Sequence, residues 1–114
     1  MKKNLAKAFK REILFSHQSI GDDDLDKAFL HLERAHILGQ KFVWAHFHTH
    51  VLMLYIAFLR KDYNEVLGQI LRIPLGVLGS GIGIVPVGNS GGANVSLFRK
   101  MDIPADLESY LNDE

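Results

Sequence analysis

The chain has 114 residues, 47% of them hydrophobic, a share typical of soluble globular proteins, and its 13 basic residues balance 13 acidic ones. This length suits one compact domain over residues 1–114, and the balanced charge provides no overall field to gather nucleic acid or anionic lipid. Because the sequence contains no cysteine, disulfides and thiolate metal sites are excluded, and any metal must be held by nitrogen and oxygen.

The N-terminus begins basic but lacks the uninterrupted apolar core of a signal peptide, because charges recur at Lys7, Lys10, Arg11 and Glu12. The uncharged stretch 73–87 contains two prolines and is shorter than the roughly 20 residues that a membrane-spanning helix needs. We therefore expect a cytoplasmic protein without a membrane span.

Hydrophobic spacing predicts about four helices joined by short loops, at about residues 4–16, 22–38, 42–60 and 62–75. Asp22 is suited to begin the second helix, and Gly39 to end it in the left-handed conformation. The third helix is apolar without internal glycine or proline, which is typical of a helix buried on most sides. Asp62, with Glu65 three residues later, resembles a capping box at the start of the fourth.

The C-terminal third changes character, because residues 76–100 contain seven of the ten glycines. This composition predicts an ordered glycine-rich loop, with a short strand at 82–87, followed by a short helix at 104–111. The expected fold class is therefore all-α, a compact bundle of about four helices arranged as helical hairpins and closed by this loop and a short final helix.

The segment VWAHFHTHVLMLY (43–55) places three histidines at alternate positions. In a helix, positions four apart lie about 40° from each other, whereas positions two apart diverge by about 200°. His46 and His50 therefore share a face of the third helix, and His48 points nearly the opposite way. On the second helix, His36 takes a position on the core-facing stripe where leucine would be expected, with Glu33 at the edge of that stripe.

An antiparallel hairpin with its turn near 39–41 would bring these residues together, since Glu-x-x-His and His-x-x-x-His each present two ligands from one helical face. We expect a divalent transition metal such as Zn, Fe or Ni, held by His36, His46 and His50, with Glu33 as fourth ligand or as a group that orients a ligand. An open coordination position would make metal-assisted hydrolysis the first reaction to consider. No nucleotide or flavin is expected.

Two other interpretations of the same histidines remain open. In the first, the histidines form a structural polar cluster in which Glu33 satisfies the hydrogen-bonding groups of His36 or His50. In the second, the histidines line a metal-free catalytic or ligand pocket. A rival function of another class is a helical interaction module or homodimer, in which apolar faces of the third and fourth helices and of 73–87 contact a partner. His17, His31 and His48 are expected at the surface.

The loop sequence PVGNSGGANVS (86–96) also admits two interpretations. In the first interpretation, its backbone amides bind an anion. In the second, the loop forms a series of tight turns in which the asparagines hydrogen-bond to local backbone and the glycines take positive φ. The residues concerned are Gly88, Asn89, Gly91, Gly92 and Asn94. The Gly-Lys-Ser/Thr ending of a phosphate-binding P-loop does not occur.

Five segments together resemble an uncharacterised bacterial family, domain of unknown function 3703. They are LERAHILGQ (32–40), the pair His46 and His50, EVLGQILRI (65–73), PVGNSGGANVS (86–96) and MDIPADL (101–107). The resemblance covers about residues 25–111 and implies a small, mostly helical bacterial protein. It brings no activity, ligand or catalytic residue with it.

Overall fold

Five α-helices make up the fold over residues 1–112, the part of the chain that the computed structural model describes. They are α1 (Lys3–Gly21), α2 (Leu25–Gly39), α3 (Val43–Leu59), α4 (Tyr63–Gly81) and α5 (Ala105–Asn112). The predicted all-α class is thus confirmed, with the short final helix near its expected place. Asp113 and Glu114, at the end of the predicted 1–114 domain, lie outside the described residues.

The boundary between the first two helices differs from the prediction. α1 continues through the polar cluster 17–21. The hydroxyl of the buried Ser19 donates to the Phe15 carbonyl within the same helix, so this polar side chain does not pull the backbone out of the helical conformation. α2 begins at Leu25 and not at Asp22, because Asp23 takes a φ of 57° and Asp24 is the N-cap, accepting the Lys27 N–H.

The fourth helix is longer than expected and takes up the start of the predicted loop 76–100. It runs through Pro74 to Gly81, although proline removes one hydrogen bond from a helix. Contact with α3 favours the continuation, since Gly76 lies directly against the rings of His46 and His50. The strand expected at 82–87 is wrong, because that segment is irregular and no strand occurs within residues 1–112.

The helices pack in chain order, α1 on α2, α2 on α3 and α3 on α4, while α5 contacts α1 and α2. An apolar cluster between α2 and α3 contains Ala28, Phe29, Leu32, Met53 and Ile56. The segment 82–104, here termed the C-terminal loop, folds back over α2 and α4. It brings Asn89 to His36, and Val95 to Arg72. Within the described chain, no helix is long and apolar enough to cross a membrane.

His31, expected at the surface, is largely covered and belongs to a polar contact between α1 and α2. Its Nδ1 donates to the carboxylate of the buried Glu12 over 2.7 Å, and Arg34 Nε donates to the same carboxylate over 2.9 Å. Arg34 also pairs with Asp106, which ties α5 to this side of the bundle. The apolar cluster thus packs α2 against α3, whereas the polar contacts hold α1 and α5 against α2.

Candidate metal centre

The imidazole rings of His36, His46 and His50 converge at one point between α2 and α3. Their Nε2 atoms form a nearly equilateral triangle, with separations of 2.9 Å between His36 and His46, 3.1 Å between His36 and His50, and 3.0 Å between His46 and His50. All three residues are buried, with at most 5% of their surface exposed. The helical spacing therefore predicted correctly which histidines meet.

The opposite nitrogen of each ring faces a hydrogen-bond acceptor. His36 Nδ1 lies 2.7 Å from the Asn89 carbonyl oxygen, which can only accept. His46 Nδ1 lies 2.5 Å from Ser80 Oγ, and this hydroxyl uses its own hydrogen to donate to the Gln40 carbonyl oxygen. Each of these Nδ1 atoms therefore carries the hydrogen and donates it.

The third ring is oriented by an amide. His50 Nδ1 lies 2.6 Å from Gln69 Oε1, while Gln69 Nε2 donates to Glu65 Oε2 and to the Gly91 carbonyl oxygen. These two bonds assign the amide nitrogen and leave Oε1 as the acceptor. His50 therefore also carries its hydrogen on Nδ1, so that all three rings share one tautomer.

This tautomer leaves three Nε2 lone pairs directed at one another with no hydrogen between them. Burial lowers the pKa of His46 and of His50 to about 4, and burial together with the neighbouring imidazoles lowers the pKa of His36 well below its ordinary value. Near neutral pH all three rings are therefore uncharged, and a proton does not bridge them. A bound cation is what would turn this repulsion between lone pairs into attraction.

The triangle has the dimensions of a three-histidine metal site. The Nε2 atoms of His36, His46 and His50 would hold an ion between them, since the usual distance from zinc to imidazole nitrogen is about 2.0–2.1 Å. Metal-bound histidines commonly donate the other ring N–H to a carbonyl, a carboxylate or water, as these rings do to their acceptors. The cluster could therefore hold a metal ion.

Glu33, the fourth residue predicted for the site, is not in this group. Among residues 1–112, the only group of three or more ligand side chains close enough to hold one ion is that of the three histidines. The Glu33 carboxylate accepts a hydrogen bond from Ser90, next to Asn89. Burial, with the nearby charge of Glu65, raises the pKa of Glu33.

The predicted anion or turn loop folds as turns, and the N–H groups of Asn89, Gly91, Ala93 and Val95 have acceptors within the chain. Asn89 Oδ1 accepts the Gly91 N–H, and Asn89 Nδ2 donates to the backbone carbonyls of Ser96 and Arg99. Positive φ occurs at Gly88 and Gly91 but not at Gly92, which is packed against the Asn94 side chain. The Ala93 N–H donates to Glu65, so the anion that this loop holds is a carboxylate of the chain itself.

Sequence reasoning missed the residues that orient the rings, namely Gln69, Ser80 and the backbone of Asn89. Gln69 and Ser80 lie on the face of α4 that packs against α3, and Ser80 falls in the part of α4 that was expected to be loop. Gly91 was noted for its turn, but its proximity to His36 was not anticipated: a Cβ there would lie 2.5 Å from His36 Cδ2. Glu65 and Gln69 are four residues apart and so share a face of the helix, and this spacing is the one sequence feature that could have indicated a role for Gln69.

Comparison with known proteins agrees with the resemblance found in the motifs. Residues 3–111 match the profile of the family described as "Protein of unknown function (DUF3703)". The chain belongs to this family. The match includes α1, which lies before the segments that carried the resemblance. For this DUF3703 protein, neither the curated proteins nor the solved structures gave a match.

We predict that the metal-free DUF3703 protein loses folding stability as the pH falls from about 6.5 to about 4. Unfolded imidazoles protonate near their ordinary pKa of 6.5, whereas folded His46 and His50 remain neutral down to about 4, so the unfolded state binds more protons in this interval. For each pH unit of decrease in this interval, each such group lowers the free energy of unfolding by at most about 1.4 kcal/mol.

Urea unfolding of chelator-treated protein across this pH range measures the effect. The matched variant is His50→Leu, in which one of the titrating rings is absent while the exposed carboxylates are unchanged. Its stability should fall less steeply with decreasing pH than that of the wild type. Equal slopes for the two proteins would contradict the assignment of neutral, buried imidazoles.

Proposed function

We propose that this protein binds a divalent transition metal through Nε2 of His36, His46 and His50. The observation that carries the proposal is the set of three Nδ1 hydrogen bonds, which direct three unprotonated Nε2 atoms at a single point. Three neutral imidazoles suit Zn, Fe or Ni, and the absence of cysteine from the sequence leaves no thiolate to favour softer ions.

Metal-assisted hydrolysis is the reaction class that this donor set supports. Catalytic zinc sites commonly have three protein ligands and a water in the fourth position, whereas structural sites usually have four protein ligands. A metal in such a site lowers the pKa of its bound water to about 7 and so supplies hydroxide at neutral pH. The three histidines would supply the protein ligands, and the open side would receive the water.

Glu33 is proposed to support the centre through the C-terminal loop. Its carboxylate accepts a hydrogen bond from Ser90. The residue before Ser90 is Asn89, whose carbonyl oxygen accepts the hydrogen bond that orients His36. Glu65 has a comparable position, since it holds Gln69, which orients His50. Both carboxylates would thus act on the metal through the orientation of a ligand.

We predict that His36→Ala, His46→Ala and His50→Ala each abolish stoichiometric metal binding, because two imidazoles hold a divalent ion far more weakly than three. Metal content after purification without a histidine tag, together with titration against a chromophoric chelator, measures the effect. Glu33→Gln should retain stoichiometric metal and weaken its affinity by about tenfold, the lower end of the effect expected for groups that orient ligands.

The control is His48→Ala, because His48 lies on α3, as His46 and His50 do, but is not part of the cluster. It should bind metal as the wild type does. Unchanged metal content in the three cluster variants, or an equal loss in His48→Ala, would refute the assignment of the ligands.

We propose a second function, homodimerisation, for the outward faces of α3 and α4. Five apolar residues on the outward side of α3 follow the alternating three and four spacing of a helix-packing stripe. They are Trp44, Phe47, Val51, Leu54 and Phe58. The outward side of α4 continues the pattern with Tyr63, Leu67, Leu71, Pro74 and Leu78. The opposite face of α3, which carries His46 and His50, is buried in the fold, so an apolar outward stripe leaves α3 with a face that a partner could cover.

The exposed area supports a second copy of the chain as the partner. Four aromatic side chains on or beside these stripes, Trp44, Tyr55, Phe58 and Tyr63, are 52–75% exposed. At roughly 150–250 Å² per aromatic side chain, they leave on the order of 500 Å² uncovered. With the leucines of α4, this approaches the roughly 800 Å² that each partner buries in a standard interface. Two such hairpins related by a two-fold axis would form a four-helix bundle, and neither stripe carries a charge that would select another partner.

We predict that the wild-type protein is a dimer in solution and that Leu67→Glu makes it monomeric, because the charge would be desolvated at the centre of the interface. Light scattering coupled to size-exclusion chromatography measures the mass. Leu30→Glu is the matched control, since Leu30 is a leucine of similar exposure on α2; it should leave the dimer intact. A monomeric wild type at high concentration would exclude this function and leave the metal proposal untouched.

A further inference from the structure

A cavity of about 350 Å³ adjoins the three histidines between α4 and the C-terminal loop. Its size is within the range of small-molecule sites, which are mostly apolar with a few polar groups. The imidazole rings form part of its wall, and most of the remainder is apolar: Leu75, Leu78, Ile82, Ile84, Pro86 and Phe98. A ligand in this space would have its apolar part against these side chains and its polar end toward the histidines.

Gln40, which also lines the cavity, has an unsatisfied acceptor. The residue is 2% exposed, and its Oε1 is one of two buried side-chain polar atoms without a hydrogen-bond partner among residues 1–112, the other being Ser16 Oγ. A buried amide oxygen without a donor costs free energy, and a ligand O–H or N–H that reached Gln40 Oε1 would remove that cost.

Arg72 provides positive charge in the same wall. Its guanidinium donates to two backbone carbonyls, of Val95 over 2.6 Å and of Gly68 over 3.4 Å, and within the described part of the chain it forms no salt bridge with a carboxylate. Lys100 also lines the cavity, and a divalent ion on the histidines would add a further cationic centre. Cationic groups beside apolar walls favour an anionic ligand.

We propose that the cavity binds a small organic acid with an apolar body and a hydroxyl group next to its carboxylate. The carboxylate would take the open position on the metal and interact with Arg72, the hydroxyl would donate to Gln40 Oε1, and the apolar body would contact the side chains of α4 and the C-terminal loop. This proposal rests on the metal centre proposed above. It names the ligand class that the centre would receive.

Titration of cobalt-loaded protein with mandelate tests the proposal, because the visible spectrum of Co²⁺ reports a change in its coordination. Mandelate has the carboxylate, the adjacent hydroxyl and an aromatic body. Phenylacetate lacks the hydroxyl, glycolate lacks the aromatic body, and benzyl alcohol lacks the anion. We expect saturable spectral change with mandelate at the lowest concentration of the four, and no change with benzyl alcohol.

Three variants separate the contributions of the cavity residues. Arg72→Gln should retain cobalt and weaken mandelate binding by roughly tenfold or more, as expected for loss of a charged hydrogen bond. Gln40→Leu should weaken the binding of mandelate by roughly fivefold and leave the binding of phenylacetate unaffected. Ile84→Glu places a negative charge at an exposed position of the wall, where folding should tolerate it. This charge would repel the carboxylate and should also weaken the binding of mandelate. The control is Arg99→Gln, an exposed arginine of the same loop outside the cavity wall, which should bind as the wild type does.

The outcomes distinguish failure of the ligand proposal from failure of the metal proposal. Protein that does not take up cobalt refutes the metal centre. Protein that binds cobalt but shows no spectral change with mandelate, or that binds glycolate as tightly as mandelate, overturns the ligand proposal and leaves the centre in place. Equal effects of Arg72→Gln and Arg99→Gln would overturn the role of Arg72.

Discussion

The three hydrogen bonds donated by histidine Nδ1 atoms are the constraint on which the rest of this structure depends. Their acceptors come from three places: the Asn89 carbonyl in the C-terminal loop, and the side chains of Ser80 and Gln69 on α4. Each acceptor is itself held by the fold, and burying so many polar atoms is tolerable only because nearly all of them are paired. The histidines on α2 and α3 therefore require α4 and the loop to lie where they do.

This requirement accounts for features of the chain that are unfavourable locally. α4 continues past Pro74 despite the lost hydrogen bond, and the continuation carries Ser80 to His46. Gly91 takes a φ of 85° beside His36, where a Cβ would collide with the ring. Metal binding at the proposed centre would offset such costs, since an ion that binds only the folded state adds its binding free energy to folding.

The sequence predicted the helical frame and the three histidines because both depend on local periodicity. Positions 46 and 50 share a helical face at any tertiary arrangement, and a histidine at position 36 on an apolar stripe stands out by its chemistry. The acceptors were not predictable in this way, because the Ser80 and Asn89 contacts span 34 and 53 residues along the chain. Glu33 has the spacing of a ligand but lies at the edge of its stripe, where Ser90 is within reach of its carboxylate. The ends of α1 and α4 were misplaced because side-chain bonding and tertiary contact outweighed local propensity there.

X-ray absorption spectroscopy at the K-edge of the metal that the purified protein contains, or of zinc added in stoichiometric amount, would count the imidazoles bound to one ion. A three-histidine centre predicts three imidazole nitrogens at about 2.0–2.1 Å with the outer-shell scattering of imidazole rings, and one further light ligand. A spectrum that shows only oxygen ligands, or fewer than three imidazoles, would contradict it.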